Sequence, residues 1–311
     1  IASLSLFIEP QDGYEPVIHE ISTAKHSLDM AMYLLTDKKI IDALIEAKQR
    51  GVNVRVILEK NVYGEDSANQ HTCDTLKKAG VKVKWSNPAF FSLTHEKAFA
   101  IDQKQLVIMT LNQTYSAYHH NREYGAIDFN ASDLMEFTKE FDGDWENLYP
   151  EVTVQDLVWG PNNASGKLIQ LLKSVKDSLY VEAEEINNKA IENLLIQQAH
   201  RGIDVRVIVP PQKHKENIIH LVNNHVHVRI MNKKPMYLHA KLIIVDDSKG
   251  FIGSENFSAY SLQMNRELGI LIYPHDHLQR LTQTFNKDWK TAAPNLKPLS
   301  QATRHTRRQY R

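Results

Sequence analysis

The chain has 311 residues, of which 42% are hydrophobic and 24% are charged, and its 37 basic residues balance its 37 acidic residues. This length can bury one large core or two ordinary ones, and zero net charge disfavours proteins whose affinity comes from covering nucleic-acid phosphates. No apolar run reaches the roughly 18 residues of a membrane-spanning helix, and the single cysteine excludes an internal disulfide framework. We therefore expect a soluble globular chain whose membrane contacts, if any, lie at its surface.

The chain begins with Ile1 rather than with methionine. A removed signal peptide, a trimmed tag and a further upstream segment are three alternative explanations. The first of them leaves a secreted or periplasmic location open.

The first strong local patterns predict a strand, a helix and a second strand. They cover residues 28–34, 38–50 and 54–58. The same order returns 151 positions later, over residues 179–185, 189–201 and 205–209. Each predicted helix ends at a glycine, Gly51 or Gly202, as helices commonly do. Strands that alternate with helices predict an α/β layer in each copy.

This repeat aligns residues 27–33 with residues 178–184. Asp144-Trp145 and Asp288-Trp289 close the two copies. We predict a first repeat over residues 1–150, a second over residues 151–291 and a basic C-terminal tail over residues 292–311, which we interpret as a tether or a disordered extension. Two similar halves favour a monomer that is an internal pseudo-dimer with an approximate two-fold axis.

Two segments share the pattern His-x-Lys-x4-Asp, and each continues at equal spacing into a hydroxyl residue, an asparagine and a glutamate. The first set is His95, Lys97, Asp102, Thr110, Asn112 and Glu123. The second set lies 144 positions later and is His239, Lys241, Asp246, Ser254, Asn256 and Glu267. This composition yields only about 0.2 chance matches to the His-x-Lys-x4-Asp pattern. We therefore interpret the two sets as two half-sites.

Strand periodicity separates the residues of each set. Side chains two positions apart share a face of a strand, so each histidine is expected to point the same way as its lysine. Asp102 and Asp246 lie an odd number of steps away, in segments of turn composition, and we interpret them as structural braces of turns. After the turn, the hydroxyl residue and the asparagine again share a face, and we expect both to bind phosphate oxygens; these residues are Thr110, Asn112, Ser254 and Asn256.

Two such half-sites around one phosphorus suit phosphodiester chemistry. A neutral histidine can attack and form a phosphohistidine, while the opposite, protonated histidine donates its proton to the leaving alkoxide. Lys97 and Lys241 would stabilise the non-bridging oxygens, so no metal and no other cofactor is expected. Glu123 and Glu267 fit as residues that accept the Nδ1 proton of a histidine and orient its ring. Which histidine attacks stays open.

The paired blocks resemble the phospholipase D superfamily, which includes phospholipases, cardiolipin and phosphatidylserine synthases, and metal-independent nucleases. The resemblance covers nearly the whole chain. It implies a phosphohistidine intermediate, the residue roles given above, and an α/β fold of two pseudo-two-fold-related α/β/α sandwich halves with the active site at their interface. One departure is Met109-Thr110, where the family usually has Gly-Ser. Thr110 keeps the hydroxyl, and we expect Met109 either to narrow the first half-site or to alter which histidine attacks.

The segments ahead of the two histidines differ in character. Phe90 and Phe91 make the first approach apolar, whereas Lys233 and Lys234 make the second basic. An apolar rim and a cationic rim suit a phospholipid at a membrane surface, although packing of the two phenylalanines in the core is an equal alternative.

We therefore favour a phosphodiesterase of phospholipase D type that hydrolyses or transfers the phosphodiester of a phospholipid. The alternative is a metal-independent nuclease that uses Lys213, Lys215, Lys233, Lys234 and the tail as a track for a nucleic-acid backbone. The sequence leaves the headgroup, and the choice between hydrolysis and transfer, open.

Overall fold

Strands and helices alternate along the chain, and the order of the first half is repeated in the second. The computed structural model describes residues 3–148, 150–212 and 215–298. The elements of the first half are β1 (Leu4–Glu9), α1 (Glu15–Thr23), β2 (Ser27–Met32), α2 (Lys38–Gln49), β3 (Asn53–Leu58), α3 (Gln70–Lys78), β4 (Lys82–Trp85), β5 (Lys97–Ile101), β6 (Gln105–Met109), α4 (Tyr115–His119), β7 (Asn121–Asp128) and α5 (Ala131–Glu146).

The second half follows the same plan with three additional two-residue strands. Its elements are β8 (Leu157–Gly160), α6 (Ala164–Lys173), β9 (Ser178–Ala183), β10 (Ile186–Asn187), α7 (Lys189–His200), β11 (Asp204–Val209), α8 (Glu216–Asn223), β12 (His227–Ile230), β13 (Tyr237–Leu238), β14 (Lys241–Val245), β15 (Lys249–Gly253), β16 (Phe257–Ser258), α9 (Ala259–Met264), β17 (Glu267–Ile272) and α10 (His275–Thr291). None of the described helices is both long enough and apolar enough to cross a membrane.

Equivalent helices start and stop with the same local signals. Asp37 and Asn188, 151 positions apart, cap α2 and α7 by accepting hydrogen bonds from two backbone N–H groups each. Gly51 and Gly202 follow these helices with φ values of +94° and +86°, a conformation that favours glycine. The predicted strand, helix and strand of each copy are therefore confirmed, with boundaries that differ by one or two residues.

The two sheets have the same strand order. The first runs β1-β7-β6-β5-β2-β3-β4, and the second runs β8-β17-β15-β14-β9-β11-β12. In each sheet, the three strands at one end pair in parallel and the other neighbours pair antiparallel. This arrangement confirms the predicted α/β fold of two similar halves.

The halves share a core between their sheets. Helices α5 and α10 lie in this core and contribute Phe137, Phe141, Phe285 and Trp289 to it, together with the inner faces of both sheets. Helices α1–α3 and α6–α8 cover the outer faces and bury separate apolar clusters. The halves therefore share one buried apolar core that contains side chains of both sheets.

Among the ion pairs that cross this interface, two involve arginines and aspartates that the repeat relates. Arg122 of the first half bonds Asp288 of the second through Nε and Nη2, at 2.7 and 2.9 Å. Arg266 bonds Asp144 in the same two-point manner, at 2.9 and 2.7 Å. Both arginines are almost fully buried. Each half thus neutralises a buried cation of the other, and bidentate geometry makes each pair directional.

The motif histidines lie just ahead of their strands. The predicted strand that begins at His95 begins instead at Lys97, and the matching strand begins at Lys241 rather than at His239. The basic residues of the predicted tail from position 299 onward lie outside the described residues. The predicted domain boundaries stay predictions.

Removing one acid of the crossed ion pairs should destabilise the fold strongly. In Asp288→Ala the buried Arg122 guanidinium loses its carboxylate, and we expect a loss of about 3–5 kcal/mol in the free energy of unfolding. Chemical denaturation measures this loss. Asp42→Ala, which removes the partner of the exposed Lys38, is the matched control and should cost at most about 0.5 kcal/mol. Equal losses for the two variants would contradict the structural role of the crossed pair.

Candidate active site

Backbone pairing between the halves brings the two histidines to one place. Short strand β13, just ahead of His239, pairs in parallel with the start of β7 in the first half. The equivalent segment ahead of His95 bridges to Arg266 at the start of β17, and the His95 N–H donates to the Arg266 carbonyl at 2.8 Å. Each histidine is therefore held against the opposite half.

The orienting glutamates are exchanged between the halves. His95 Nδ1 lies 2.9 Å from Glu267 Oε2, and His239 Nδ1 lies 2.7 Å from Glu123 Oε1. The first contact is an aligned hydrogen bond, whereas the second is an ion-pair distance with bent geometry. Both glutamates are fully buried. Because Nδ1 of each ring faces a carboxylate, Nε2 is the nitrogen left for a substrate.

The hydroxyl residues of the two sets donate hydrogen bonds to the glutamates. Thr110 Oγ1 donates to Glu123 at 2.6 Å, and Ser254 Oγ donates to Glu267 at 2.5 Å. Both hydroxyl residues are fully buried, and each also accepts a backbone N–H. The hydroxyls of Thr110 and Ser254 thus hold the two carboxylates, and their expected contact with phosphate stays a prediction.

The two lysines are fully buried but have different neighbours. Lys97 donates to the His95 carbonyl and lies 5.2 Å from the centre of the Tyr33 ring. Lys241 donates to the His239 carbonyl at 2.8 Å and to Glu184 Oε2 at 2.9 Å. One half-site therefore has a lysine beside an aromatic face, and the other has a lysine in an ion pair.

Asn112 and Asn256 retain unused hydrogen-bonding capacity. The side-chain carbonyl oxygen of each is buried, and within the described residues it has no hydrogen-bond partner. A buried amide without a partner is costly unless a ligand completes it. This feature recurs at equivalent positions of both halves.

Burial and charge set the protonation of the site. Burial, together with the charge of the nearby Lys97, lowers the pKa of His95 to about 4 against the attraction of Glu267. Burial also lowers the pKa of Lys97 to about 7. Burial would raise the pKa of Glu184, but His239 and Lys241 outweigh it and bring the value to about 2. At neutral pH the site thus contains a neutral His95 and an ionised Glu184.

The two motif aspartates lie away from this chemistry. Asp102 accepts the N–H groups of Lys25, His26 and Ser27. Asp246 accepts three equivalent N–H groups in the second half. Both have positive φ values, so each aspartate braces a tight turn, the position that its turn composition predicted.

Met109 does not line the site. It is fully buried in the core of the first half, so the expected narrowing of the first half-site by Met109 is wrong. The equivalent Gly253 has no room for a side chain, because a Cβ there would lie 2.2 Å from Glu255 Oε2. The first half has Leu111 at the position of Glu255, so the carboxylate that excludes a side chain at Gly253 has no counterpart there.

The segments ahead of the two histidines have both of the expected characters. Phe90 is 38% exposed, whereas Phe91 is buried beneath the Arg266 guanidinium, so each alternative applies to one of the two phenylalanines. Lys233 and Lys234 are exposed, and Lys213 lies outside the described residues. In the part of the chain that the structure describes, no group of three or more His, Cys, Asp or Glu side chains is arranged to hold a metal ion.

Sequence reasoning missed three groups at the site: Glu184, Tyr33 and the crossed arginines. Arg122 and Arg266 had a visible signal, because they and their aspartates recur at the 144-residue spacing. Tyr33 and Glu184 stand at aligned positions of the repeat. Because they differ, a search for repeated residues passed over them.

Comparisons with known proteins agree with this geometry. A family described as cardiolipin synthase, PLD-like domain, matches the chain twice, over residues 17–145 and 168–289. Cardiolipin synthase 2 of Bacillus cereus is 22% identical over 323 residues, which cover 89% of this chain and 62% of that protein. The chain thus spans less than two thirds of that relative. Cardiolipin synthase B of Salmonella typhimurium is 24% identical, with 88% of this chain and 77% of that protein covered.

Solved structures share the fold. The phosphatidylserine synthase of Haemophilus influenzae superposes with a TM-score of 0.76 at 14% identity, over 96% of this chain and 88% of that one. A polyphosphate kinase from Porphyromonas gingivalis superposes with a TM-score of 0.70, also at 14% identity, over 92% of this chain and 50% of that one. At these identities the likeness concerns the fold alone.

His95 should remain neutral through the physiological pH range. We expect its ring to titrate near pH 4 in folded protein and near 6.5 in the unfolded chain, as followed by NMR of labelled histidine. Because the pKa falls on folding, His95 contributes stability that is present above pH 6.5 and is lost as the pH falls towards 4. A ring that titrates at or above 6.5 in the folded protein would contradict the burial argument.

Proposed function

The chain belongs to the phospholipase D superfamily, and from this premise we propose that it transfers the phosphatidyl group of a phospholipid to an alcohol. The observation that carries the proposal is the exchanged pair of His–Glu contacts, with His95 on Glu267 and His239 on Glu123. It leaves two Nε2 atoms for the two sides of one phosphorus, as double displacement requires.

We assign the attack to His95, because its low pKa keeps its Nε2 lone pair free at neutral pH. The Nε2–P bond forms while the bond from phosphorus to the leaving oxygen breaks, and His239 donates its Nε2 proton to that oxygen. An alcohol then attacks the phosphohistidine, His239 takes the proton of the alcohol, and the P–N bond breaks. The enzyme returns to its starting protonation state.

Lys97 and Lys241 are the groups that we assign to the non-bridging phosphate oxygens. Both lysine Nζ groups are already desolvated in the folded protein. The free-energy cost of desolvation on binding an anionic substrate is therefore smaller there than at an exposed lysine. The Nδ2 groups of Asn112 and Asn256 can donate hydrogen bonds to the same oxygens. Because an anionic phosphate favours the protonated form of each lysine, we propose that the reaction proceeds without a metal ion.

A phospholipid substrate is supported by the names of the relatives, two of which are cardiolipin synthases, and by the rim. The exposed Phe90 and the exposed Lys233 and Lys234 fit the acyl and phosphate parts of a lipid at a membrane surface. Synthases hand the phosphatidyl group to an alcohol, and for this reason we favour transfer over hydrolysis.

Activity assays on vesicles test the proposal. With phosphatidylglycerol vesicles, glycerol-type acceptors and excess chelator, we expect a new phospholipid to form faster than free phosphatidic acid. His239→Ala should reduce this rate by about 10²–10⁴-fold, the usual contribution of a general acid. Single-stranded DNA is the competing substrate. Preference for DNA would overturn the lipid assignment, and complete loss of activity with chelator would overturn the metal-free mechanism.

The nucleophile can be identified with an activated substrate. p-Nitrophenolate leaves without a proton, so His239→Ala should still form a covalent adduct on His95 with bis(p-nitrophenyl) phosphate, whereas His95→Ala should form none. Quenched samples analysed by intact mass and peptide mapping locate the adduct. An adduct that maps to His239 would reverse the assignment of the two histidines.

A further inference from the structure

Tyr33 and Glu184 occupy the same position of the two halves. The Tyr33 N–H donates to the carbonyl of Glu96, the residue between His95 and Lys97, at 3.2 Å. The Glu184 N–H donates to the equivalent carbonyl, that of Ala240, also at 3.2 Å. Each residue follows the strand that neighbours its own motif strand. The two-fold frame therefore places a phenol in one half-site and a carboxylate in the other.

The carboxylate of Glu184 faces the reacting side of His239. Its Oε2 lies 3.5 Å from His239 Nε2 and 2.9 Å from Lys241 Nζ, and its Oε1 accepts from the Tyr237 hydroxyl at 3.2 Å. The side chain retains 25% exposure, so it borders the space open to a substrate.

The phenol of Tyr33 is directed elsewhere. Its ring packs edge-on against the His95 ring with centroids 4.6 Å apart, and its hydroxyl accepts the Tyr63 N–H at 2.7 Å. No acidic side chain among the described residues forms an ion pair with His95 Nε2. Only one of the two catalytic nitrogens therefore faces an anion.

We propose that Glu184 is a positioning residue that reserves the role of proton donor for His239. The inference rests on the proposed function and deepens it. Glu123 contacts Nδ1 of His239 and Glu184 faces Nε2, so the imidazolium is flanked by two carboxylates, with Lys241 as the opposing cation. Attraction between opposite charges in a poorly solvated site favours the protonated ring.

The opposite histidine has the contrary environment. His95 has one carboxylate, that of Glu267, and it lies within the field of both Lys97 and Lys241. The uncharged Tyr33 ring packs against it. The two half-sites thus differ by one unit of negative charge at equivalent positions, and this charge lies beside His239 Nε2.

Glu184 takes up no proton in the cycle. In the first step the proton moves from His239 Nε2 to the leaving oxygen, which receives the electrons of the broken P–O bond. The ring is then neutral beside an anion that has kept its charge, so it is well placed to take the proton of the attacking alcohol in the second step. Glu184 therefore acts through His239 in both steps and does not react itself.

Two substrates with different leaving groups test this role. In Glu184→Gln we expect turnover of a phospholipid, whose alkoxide needs a proton, to fall by about 10²-fold or more, within the range of general acid catalysis. Turnover of bis(p-nitrophenyl) phosphate should fall far less, because its leaving group needs no proton. The alkaline limb of the pH–rate profile for the phospholipid should move to lower pH, since the ring loses the anion that holds its proton.

Two further variants serve as controls. Glu184→Asp keeps the charge and should restore much of the pH profile, which a purely structural contact to Lys241 would not require. Glu185→Gln makes the same substitution at the next residue and should leave both rates and the profile near those of the parent protein.

The outcomes separate this inference from the proposed function. Equal losses on both substrates with an unmoved alkaline limb would show that Glu184 is only structural and would overturn the inference while the enzyme stays a phosphatidyltransferase. A parent protein that turns over neither substrate would overturn the proposed function, and the inference with it. A loss of turnover that is selective for the phospholipid, together with a shift of the alkaline limb to lower pH, supports both the inference and the proposed function.

Discussion

The structure depends on pairs of charged or polar side chains whose two members belong to opposite halves. Each half carries a buried arginine whose carboxylate partner belongs to the other half, as in Arg122 with Asp288. Each also carries a histidine whose Nδ1 contacts a glutamate of the other half, as in His95 with Glu267. A buried charge without its partner is strongly destabilising, so the halves are held in the one arrangement that satisfies all of these groups. The geometry of the site and the stability of the interface therefore have the same source.

A symmetric frame suits the binding of a phosphodiester, but its cleavage needs two unlike groups. The backbone treats the halves alike, with equal sheet orders and equal motif spacing. The differences are single residues at equivalent places, such as Tyr33 and Glu184. The backbone N–H groups of these two residues make matching hydrogen bonds, so the fold accommodates a phenol at one position and a carboxylate at the other. The electrostatic environments of the two histidines therefore differ.

Much of the fold followed from periodicity and repetition, because strand and helix patterns are local and equal spacing reveals duplication. The turn role of Asp102 likewise followed from parity and composition. The sequence could not specify partners across the interface: the orienting role of Glu123 was expected, but nothing local says that its histidine is His239. The hydroxyl of Thr110 was expected to share a face with Asn112, yet only packing determines that it donates to the Glu123 carboxylate. Glu184 was overlooked because duplication highlights what two copies share.

The exchanged contacts also restrict how such a protein can change over generations. A half inherited from a different ancestor would bring its own glutamate and aspartate to a histidine and an arginine that it had not evolved with. Substitutions at Glu123 or Asp144 are therefore selected through their effect on the opposite half. Duplication created two copies of one sequence. Side-chain contacts between the copies now require that the two sequences be inherited together.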